Sequence, residues 1–118
     1  MANFVKYMKQ VGGTPDQFAA YSYGAVLAFA DAVNAIVKSD GVNGLTRTAL
    51  IDAMKGLTDF DAGGFLGKRS FADGKITPCF MVVKFTKGKW VRQYPTKKGT
   101  FDCKASNATQ VKANLITQ

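Results

Sequence analysis

Two cysteines and the absence of histidine limit the chemistry that this chain can perform. The 118 residues contain Cys79 and Cys103 but no histidine, which removes the commonest general base and metal ligand. Two cysteines alone cannot complete a four-ligand zinc site, and they are too far apart for a Cys-x-x-Cys redox pair. They either form a disulfide that closes a loop of roughly 25 residues or remain two unpaired thiols. Composition alone favours neither interpretation.

The other chemically suggestive residues do not form a catalytic or metal-binding pattern. Asp59 and Asp61 lie in a glycine-rich stretch, but the ligand spacing of a calcium loop is absent. Gly63-Gly64 lacks the flanking strand and helix that a phosphate-binding loop requires. Without histidine, a serine or cysteine nucleophile would need a lysine or carboxylate partner, and no spacing indicates one. We therefore expect a packed surface loop, no metal, no cofactor and no enzymatic activity.

Basic and aromatic side chains are interleaved in residues 79–98 and just beyond, where they suggest a different kind of chemistry. The net charge is +8, from 16 Lys and Arg against 8 Asp and Glu. The cations that cluster here are Lys84, Lys87, Lys89, Arg92, Lys97, Lys98 and Lys104. A basic hairpin that displays Trp90 and other aromatic residues is typical of single-strand nucleic-acid binders. The competing interpretation is a solvated hairpin tip with aromatic residues that alternate toward a core.

The central element is a long apolar helix predicted over residues 18–37. Asp31 is its one charge. Thr14, followed by a proline and then a glutamine, fits the N-cap of a capping box, and Gly41 can end the helix. A helix that is apolar on nearly every side needs neighbours on several sides, so we expect the rest of the chain to cover it. Its length also fits a bilayer span, although its polar residues disfavour that interpretation.

Two shorter helices and a β-hairpin are predicted around this helix. Amphipathic patterns indicate helices over residues 3–11 and about 47–55, the second N-capped by Thr46. Strands are expected over residues 79–86 and 89–94, joined by a two-residue turn. The chain is thus expected to be a single partial domain over residues 1–118, with a helical segment (1–57), a loop and β-hairpin (58–104) and an irregular tail (105–118).

Taken together, these segments resemble the C-terminal part of a type I periplasmic solute-binding protein. The similarity is to the branched-chain amino acid (LivJ-like) group that serves ABC transporters, and it covers roughly residues 3–104. The residues that carry it include the long helix from Phe18 to Ala32, Leu45 to Leu50, Phe60-Asp61, Gly67, Phe71, the hairpin from Phe80 to Val91, Tyr94-Pro95 and Phe101 to Cys103.

The resemblance implies an α/β fold in which two lobes close on an amino acid or related small organic acid. It also implies an ABC transporter permease as partner and a periplasmic or extracellular location, although the sequence shows no signal peptide. Most of such a protein would precede Met1. We therefore expect this chain to be a fragment of the fold, with three helices, a hairpin and a tail.

The resemblance also suggests site residues. Tyr23 matches an aromatic residue that often lines the interlobe cleft, and Tyr21 is the nearby second choice for a ligand contact. Cys79 and Cys103 match a cysteine pair seen in some relatives, which favours the disulfide.

Three functional hypotheses follow. The first is a non-catalytic solute-binding segment. The alternative is a small basic module that binds nucleic acid through the 79–98 hairpin, which we consider less favoured. The third is a folding unit without a ligand, which would self-associate as a homo-oligomer to bury its exposed apolar faces.

Overall fold

The computed structural model describes residues 2–109, and the chain divides into two compact units, residues 1–75 and 76–118. The first unit contains helices α1 (Ala2–Gln10), α2 (Gln17–Asp40) and α3 (Arg47–Lys55), with a short 3-10 turn (Val42–Gly44) between the last two. The second contains strands β1 (Val82–Thr86) and β2 (Lys89–Tyr94) and a 3-10 turn (Ala105–Asn107). Three helices followed by an antiparallel hairpin confirm the predicted fold class.

The start of α2 differs from its prediction. Asp16, not Thr14, is the N-cap: its backbone is extended, and its carboxylate accepts a 2.7 Å hydrogen bond from the Ala19 N–H. A carboxylate at this position also interacts favourably with the positive end of the helix, which a threonine hydroxyl does not. The end is as predicted, because Gly41 has a positive φ of 72° and donates its N–H to the Val37 carbonyl.

The expectation that the chain covers α2 on several sides is wrong for the described residues. The buried positions form one stripe of small and aliphatic residues: Gly24, Ala28, Ala32 and Ile36. Several large side chains elsewhere on the helix are exposed, with Phe18 at 80% and Phe29 at 51%. Within residues 1–75, α3 packs against α2 on its covered side.

By length and composition, α2 would also be able to cross a membrane. The core helix of a soluble protein and a signal sequence meet the same criterion, so length and composition do not distinguish a membrane span from either of them.

Helix α3 follows its prediction closely. The Thr46 side-chain oxygen accepts a 3.1 Å hydrogen bond from the Ala49 N–H, and the helix ends before Gly56. This threonine satisfies one of the backbone donors that the first turn leaves unpaired.

The hairpin of the second unit is held by a tight turn. Lys87 and Gly88 both have positive φ, at 49° and 72°, which is the conformation of a type I′ turn that matches the twist of two antiparallel strands. Tyr94 pairs with Val82 whereas Arg92 pairs with Val83, so Gln93 is an extra residue in β2. This β-bulge is a local irregularity that no sequence signal indicated.

The first strand is shorter than predicted. It begins at Val82, not at Cys79, because Phe80 pairs instead with Asp102 through two 3.0 Å backbone hydrogen bonds. A disulfide joins the neighbouring residues Cys79 and Cys103, so the segment before β1 is held to the segment after β2.

The aromatic residues of the hairpin do not face a core. Phe85 is 59% exposed and Trp90 is 71% exposed, while their rings pack against each other with centroids 5.1 Å apart. The interpretation of these residues as core-facing is therefore wrong for the described part of the chain. The predicted irregular tail (105–118) extends beyond the described residues, so its division from the hairpin segment stays a prediction. Self-association also stays a prediction.

Candidate ligand pocket

A pocket of about 110 Å³ lies within residues 1–75. One wall comes from α2, whose lining residues are Tyr21, Gly24, Ala25 and Ala28. These positions recur at three- and four-residue intervals and therefore lie on one side of the helix. Met54 of α3 contributes a second wall.

The opposite wall is an irregular loop fixed by backbone hydrogen bonds. Phe60 and Arg69 form an isolated antiparallel bridge, with N–H to carbonyl distances of 3.0 and 2.9 Å. The Phe71 N–H donates to the Leu57 carbonyl at 3.0 Å, and the Phe60 and Phe71 rings lie 5.7 Å apart. The loop side chains that line the pocket are Phe60, Leu66, Arg69 and Phe71. These contacts set the position of Arg69 without relying on regular secondary structure.

Gly24 permits this loop to approach α2 closely. A side-chain carbon built at Gly24 would collide with the end of the Leu66 side chain. Gly24 is buried in the interior of α2, where glycine is unfavourable compared with alanine. The close approach of Leu66 gives a physical reason for the glycine.

Arg69 is the one charged side chain among the lining residues. Its guanidinium carbon lies 5.9 Å from the centre of the Tyr21 ring, within the range of a cation–π contact. Its Nε atom is buried and has no hydrogen-bond partner among the described residues. Because arginine stays protonated, this N–H is a permanent donor that lacks an acceptor, and leaving such a group unsatisfied is unfavourable.

Lys68, the charge next to Arg69 in the chain, is paired at the surface. Lys68 donates a 2.6 Å hydrogen bond to Asp59, and both side chains are largely exposed. That hydrogen bond raises the pKa of Lys68 above its ordinary value. Nothing in the described part of the chain groups three His, Cys, Asp or Glu residues around a metal position.

The two tyrosines predicted as ligand contacts lie in different surroundings. Tyr21 lines the pocket. Tyr23 belongs to an aromatic cluster, with ring centroids 5.5 Å from Phe4, 6.4 Å from Tyr7 and 5.5 Å from Phe65. Residues two apart on a helix point in different directions, so the structure does not bring both tyrosines to one site.

Sequence reasoning did not identify Arg69 as a site residue. The residue follows a glycine-rich stretch and precedes a short polar turn, and neither context distinguishes it from a surface arginine. Only the bridge to Phe60, which depends on the folded loop, places its side chain beside Tyr21.

In the second unit, Arg92 is engaged internally. It donates a 2.8 Å hydrogen bond to the Thr100 carbonyl, a longer one of 3.4 Å to the Pro95 carbonyl, and contacts the Met81 sulfur at 3.2 Å. These contacts fasten the chain after β2 to the hairpin. Arg92 is the cation of this hairpin best suited to bidentate phosphate binding, and its guanidinium is already hydrogen-bonded within the second unit.

A hydrogen bond of 2.8 Å from the Tyr94 hydroxyl to the Asp102 carboxylate links the same two segments. It lowers the pKa of Asp102 below its ordinary value of 3.8 and raises the pKa of Tyr94 above 10.0. The lowered pKa of Asp102 means that its contribution to stability is present above about pH 4 and is lost as the pH falls through the folded value. The raised pKa of Tyr94 means that its contribution to stability is present below about pH 10 and is lost as the pH rises through the folded value.

The comparison with known families gives a match over most of the chain. A model of the periplasmic binding protein family matches residues 1–89. The chain belongs to the periplasmic binding protein family. No curated protein and no solved structure matches it significantly.

Membership of this family supports several of the coarser predictions. Its members bind small solutes and deliver them to ABC transporters, typically without catalysis, and the family implies a periplasmic location. The three helices and the hairpin are consistent with part of a periplasmic binding protein fold. The identity of the solute is a separate question.

Proposed function

We propose that this chain is a solute-binding segment of the LivJ-like group that takes up an amino acid or related small organic acid for an ABC transporter. We assign the ligand's carboxylate to Arg69 and its apolar part to the pocket walls beside Tyr21. The observation that carries this proposal is the buried Nε of Arg69, which has no acceptor in the described part of the chain.

The donor chemistry of Arg69 suits a carboxylate. A guanidinium presents planar N–H groups in a fork that matches the two oxygens of a carboxylate. Hydrogen bonds between charged groups are stronger than neutral ones, and one to Nε would remove an unsatisfied donor at the same time. A cationic or purely apolar ligand would leave that donor unpaired.

The size and lining of the pocket limit what lies beyond the carboxylate. Its volume of about 110 Å³ is smaller than the roughly 150 Å³ cavity that accommodates benzene. The remaining walls are apolar or aromatic, with Ala28, Met54, Phe60 and Phe71 among them. A short aliphatic acid, or the acid end of a larger solute, fits these conditions better than a bulky or highly polar molecule.

Tyr23 is proposed as an additional contact on the strength of the family resemblance. Its ring is half-buried, and an edge-on contact with Phe65 at 5.5 Å supports its orientation. A partly exposed tyrosine held by other aromatic rings can present its hydroxyl to a ligand without further ordering. Its substitution should therefore be tested separately from that of Tyr21.

Isothermal titration calorimetry of the full chain with acetate, propionate, butyrate and valine, and with butylamine for comparison, tests the proposal. Arg69→Met should weaken binding of the preferred acid by about 10- to 100-fold, the effect of losing a charged hydrogen bond. Lys68→Met removes the same charge one residue earlier, from an exposed side chain, and should change binding by less than about twofold.

Equal affinity in Arg69→Met and the wild type would contradict the assignment, as would a preference for amines over acids. The salt dependence of binding distinguishes this proposal from the nucleic-acid alternative. Affinity for an oligonucleotide falls steeply as the salt concentration rises, whereas the affinity of a pocket for a small acid changes far less.

A further inference from the structure

Positive charge is concentrated in the second unit. Residues 76–118 carry eight of the 16 Lys and Arg but only one of the eight acidic residues, so they hold +7 of the net charge of +8. Residues 1–75 are almost neutral by the same count. The lysines of the hairpin, Lys84, Lys87 and Lys89, are all exposed.

The strand register places Phe85 and Trp90 on one face of the hairpin and the strand lysines, Lys84 and Lys89, on the other. Phe85 pairs with Trp90 and Val83 pairs with Arg92, so these residues share one face, and the contact between the two aromatic rings agrees. We call Val83, Phe85 and Trp90 the aromatic face; Arg92 lies at its end, where its guanidinium donates a hydrogen bond to the Thr100 carbonyl. The alternate positions carry Lys84 paired with Val91 and Thr86 paired with Lys89, with Lys87 in the turn.

We propose that the aromatic face of this hairpin lies on an anionic lipid surface. Amphipathic helices that lie in a membrane interface combine Trp, Phe and aliphatic side chains on one face with lysines on the other, and Phe85 and Trp90 are divided from Lys84 and Lys89 in the same way. Tryptophan favours the boundary between headgroups and acyl chains, and lysine stems are long enough to reach lipid phosphates from the side. All three residues of the aromatic face are exposed, with Trp90 the most exposed.

The details favour a lipid surface over single-stranded nucleic acid. The Phe85 and Trp90 rings are inclined at 58° and pack on each other, so they do not offer two parallel surfaces for successive bases. The exposed aliphatic residue Val83 extends the aromatic face, and aliphatic surface contributes to lipid insertion but not to base stacking. The one arginine of this unit is bound to the Thr100 carbonyl, which leaves lysines, the point charges that anionic lipids attract.

The proposal is independent of the ligand assigned to the pocket in residues 1–75. It concerns different residues, and it requires only that the hairpin be formed. The family implies a periplasmic location, where an anionic membrane surface is accessible.

Cosedimentation of the full, oxidised chain with lipid vesicles provides the test. One vesicle population contains only phosphatidylcholine, and the other also contains phosphatidylglycerol. We expect binding to the second population at low salt, a weakening as salt is added, and a blue shift of the emission of Trp90, the sole tryptophan.

The matched variant is Lys87→Asn with Lys89→Gln. Asparagine before glycine suits the positive φ of the turn, so the hairpin should still form. Each lysine near an anionic surface contributes about a fivefold gain in binding, so this double variant should bind about 30-fold more weakly. The control, Lys6→Gln with Lys9→Gln, removes the same charge from α1 and should bind like the wild type.

Four outcomes would overturn the proposal. The first two are no binding to either vesicle population and equal binding to both. The third is vesicle binding without a change in Trp90 emission. The fourth is release of the protein from anionic vesicles by oligothymidylate at a lower concentration than that of the phosphatidylglycerol present. The third would indicate that another element, such as α2, contacts the lipid.

Discussion

Loss of the Cys79–Cys103 disulfide should unfold the second unit while leaving the helices of the first intact. The two cysteines are 24 positions apart. In the chain-entropy description, closing a loop of this length removes about 3.5 kcal/mol of conformational freedom from the unfolded state. That energy corresponds to a change of about 400-fold in the folding equilibrium.

Few other interactions stabilise this unit among the described residues. An isolated two-stranded hairpin is at best marginally stable in water, and both strands here are largely exposed. The segment after β2 is otherwise held by the Phe80–Asp102 bridge and by side-chain hydrogen bonds from Arg92 and Tyr94. A loss of about 3.5 kcal/mol therefore exceeds what the remaining contacts of this unit would withstand.

The assay uses Trp90 as a reporter that belongs only to the second unit. Its fluorescence follows the hairpin during urea unfolding, while far-ultraviolet circular dichroism follows the three helices. Cys79→Ser with Cys103→Ser, and separately the reduced wild type, should lose the Trp90 transition or shift its midpoint by about 3.5 M urea, given a slope near 1 kcal/mol/M for so small a unit.

The helical signal should change little in the same samples. The expectation would be refuted if the Trp90 midpoints of the oxidised, reduced and serine forms agreed to within about 0.5 M urea, which at this slope corresponds to about 0.5 kcal/mol. Agreement between the reduced wild type and the serine variant excludes an effect of the substitutions themselves.

Three further predictions concern single contacts. Asp16→Ala should lower the stability of α2 by about 1 kcal/mol in thermal unfolding, whereas Thr14→Ala should not, and the reverse order would contradict the observed cap. Tyr94→Phe should make the stability of the second unit less dependent on pH below about pH 4, because Asp102 loses the hydrogen bond that most lowers its pKa; an unchanged pH profile of the Trp90 transition would count against that hydrogen bond. Gly24→Ala should change the free energy of unfolding by less than about 1 kcal/mol, because the gain in helix propensity offsets the displacement of the Leu66 side chain. It should nevertheless weaken acid binding, because the displaced Leu66 side chain moves into the pocket. An unaltered affinity in calorimetry would argue against the pocket.

Local signals in the sequence were sufficient for the type and order of the helices and strands, although not for every boundary. The hydrophobic period and Thr46 predicted α3 well, and the Lys87-Gly88 pair predicted the turn that the backbone adopts. These features depend on residues near one another in the chain, where propensity and capping chemistry act directly.

Features that depend on distant residues were not predictable in the same way. The strand limit at Val82 reflects the pairing of Phe80 with Asp102, which no local pattern indicates. The exposure of Phe85 and Trp90 depends on whether another part of the protein packs against that face of the hairpin. The alternating sequence pattern is the same whether the face is covered or exposed. The family resemblance, in contrast, was carried by the order of many weak motifs and agrees with the match to residues 1–89.

The candidate site followed the same division. The family resemblance suggested Tyr21 as the second choice after Tyr23, but its partner Arg69 is brought to it by the folded loop. A buried, unsatisfied Nε is a property of three-dimensional packing that the sequence does not display.

The most direct test of the central claim is a nuclear magnetic resonance titration that follows the Nε–H signal of Arg69. With isotope-labelled full chain, addition of a short aliphatic acid should shift that signal strongly and in a saturable manner, because the carboxylate supplies the missing acceptor. The Nε–H signals of Arg47 and Arg92 serve as internal controls and should move little. An Arg69 signal that stays in place, or moves no more than the other two, would contradict a carboxylate site in this pocket.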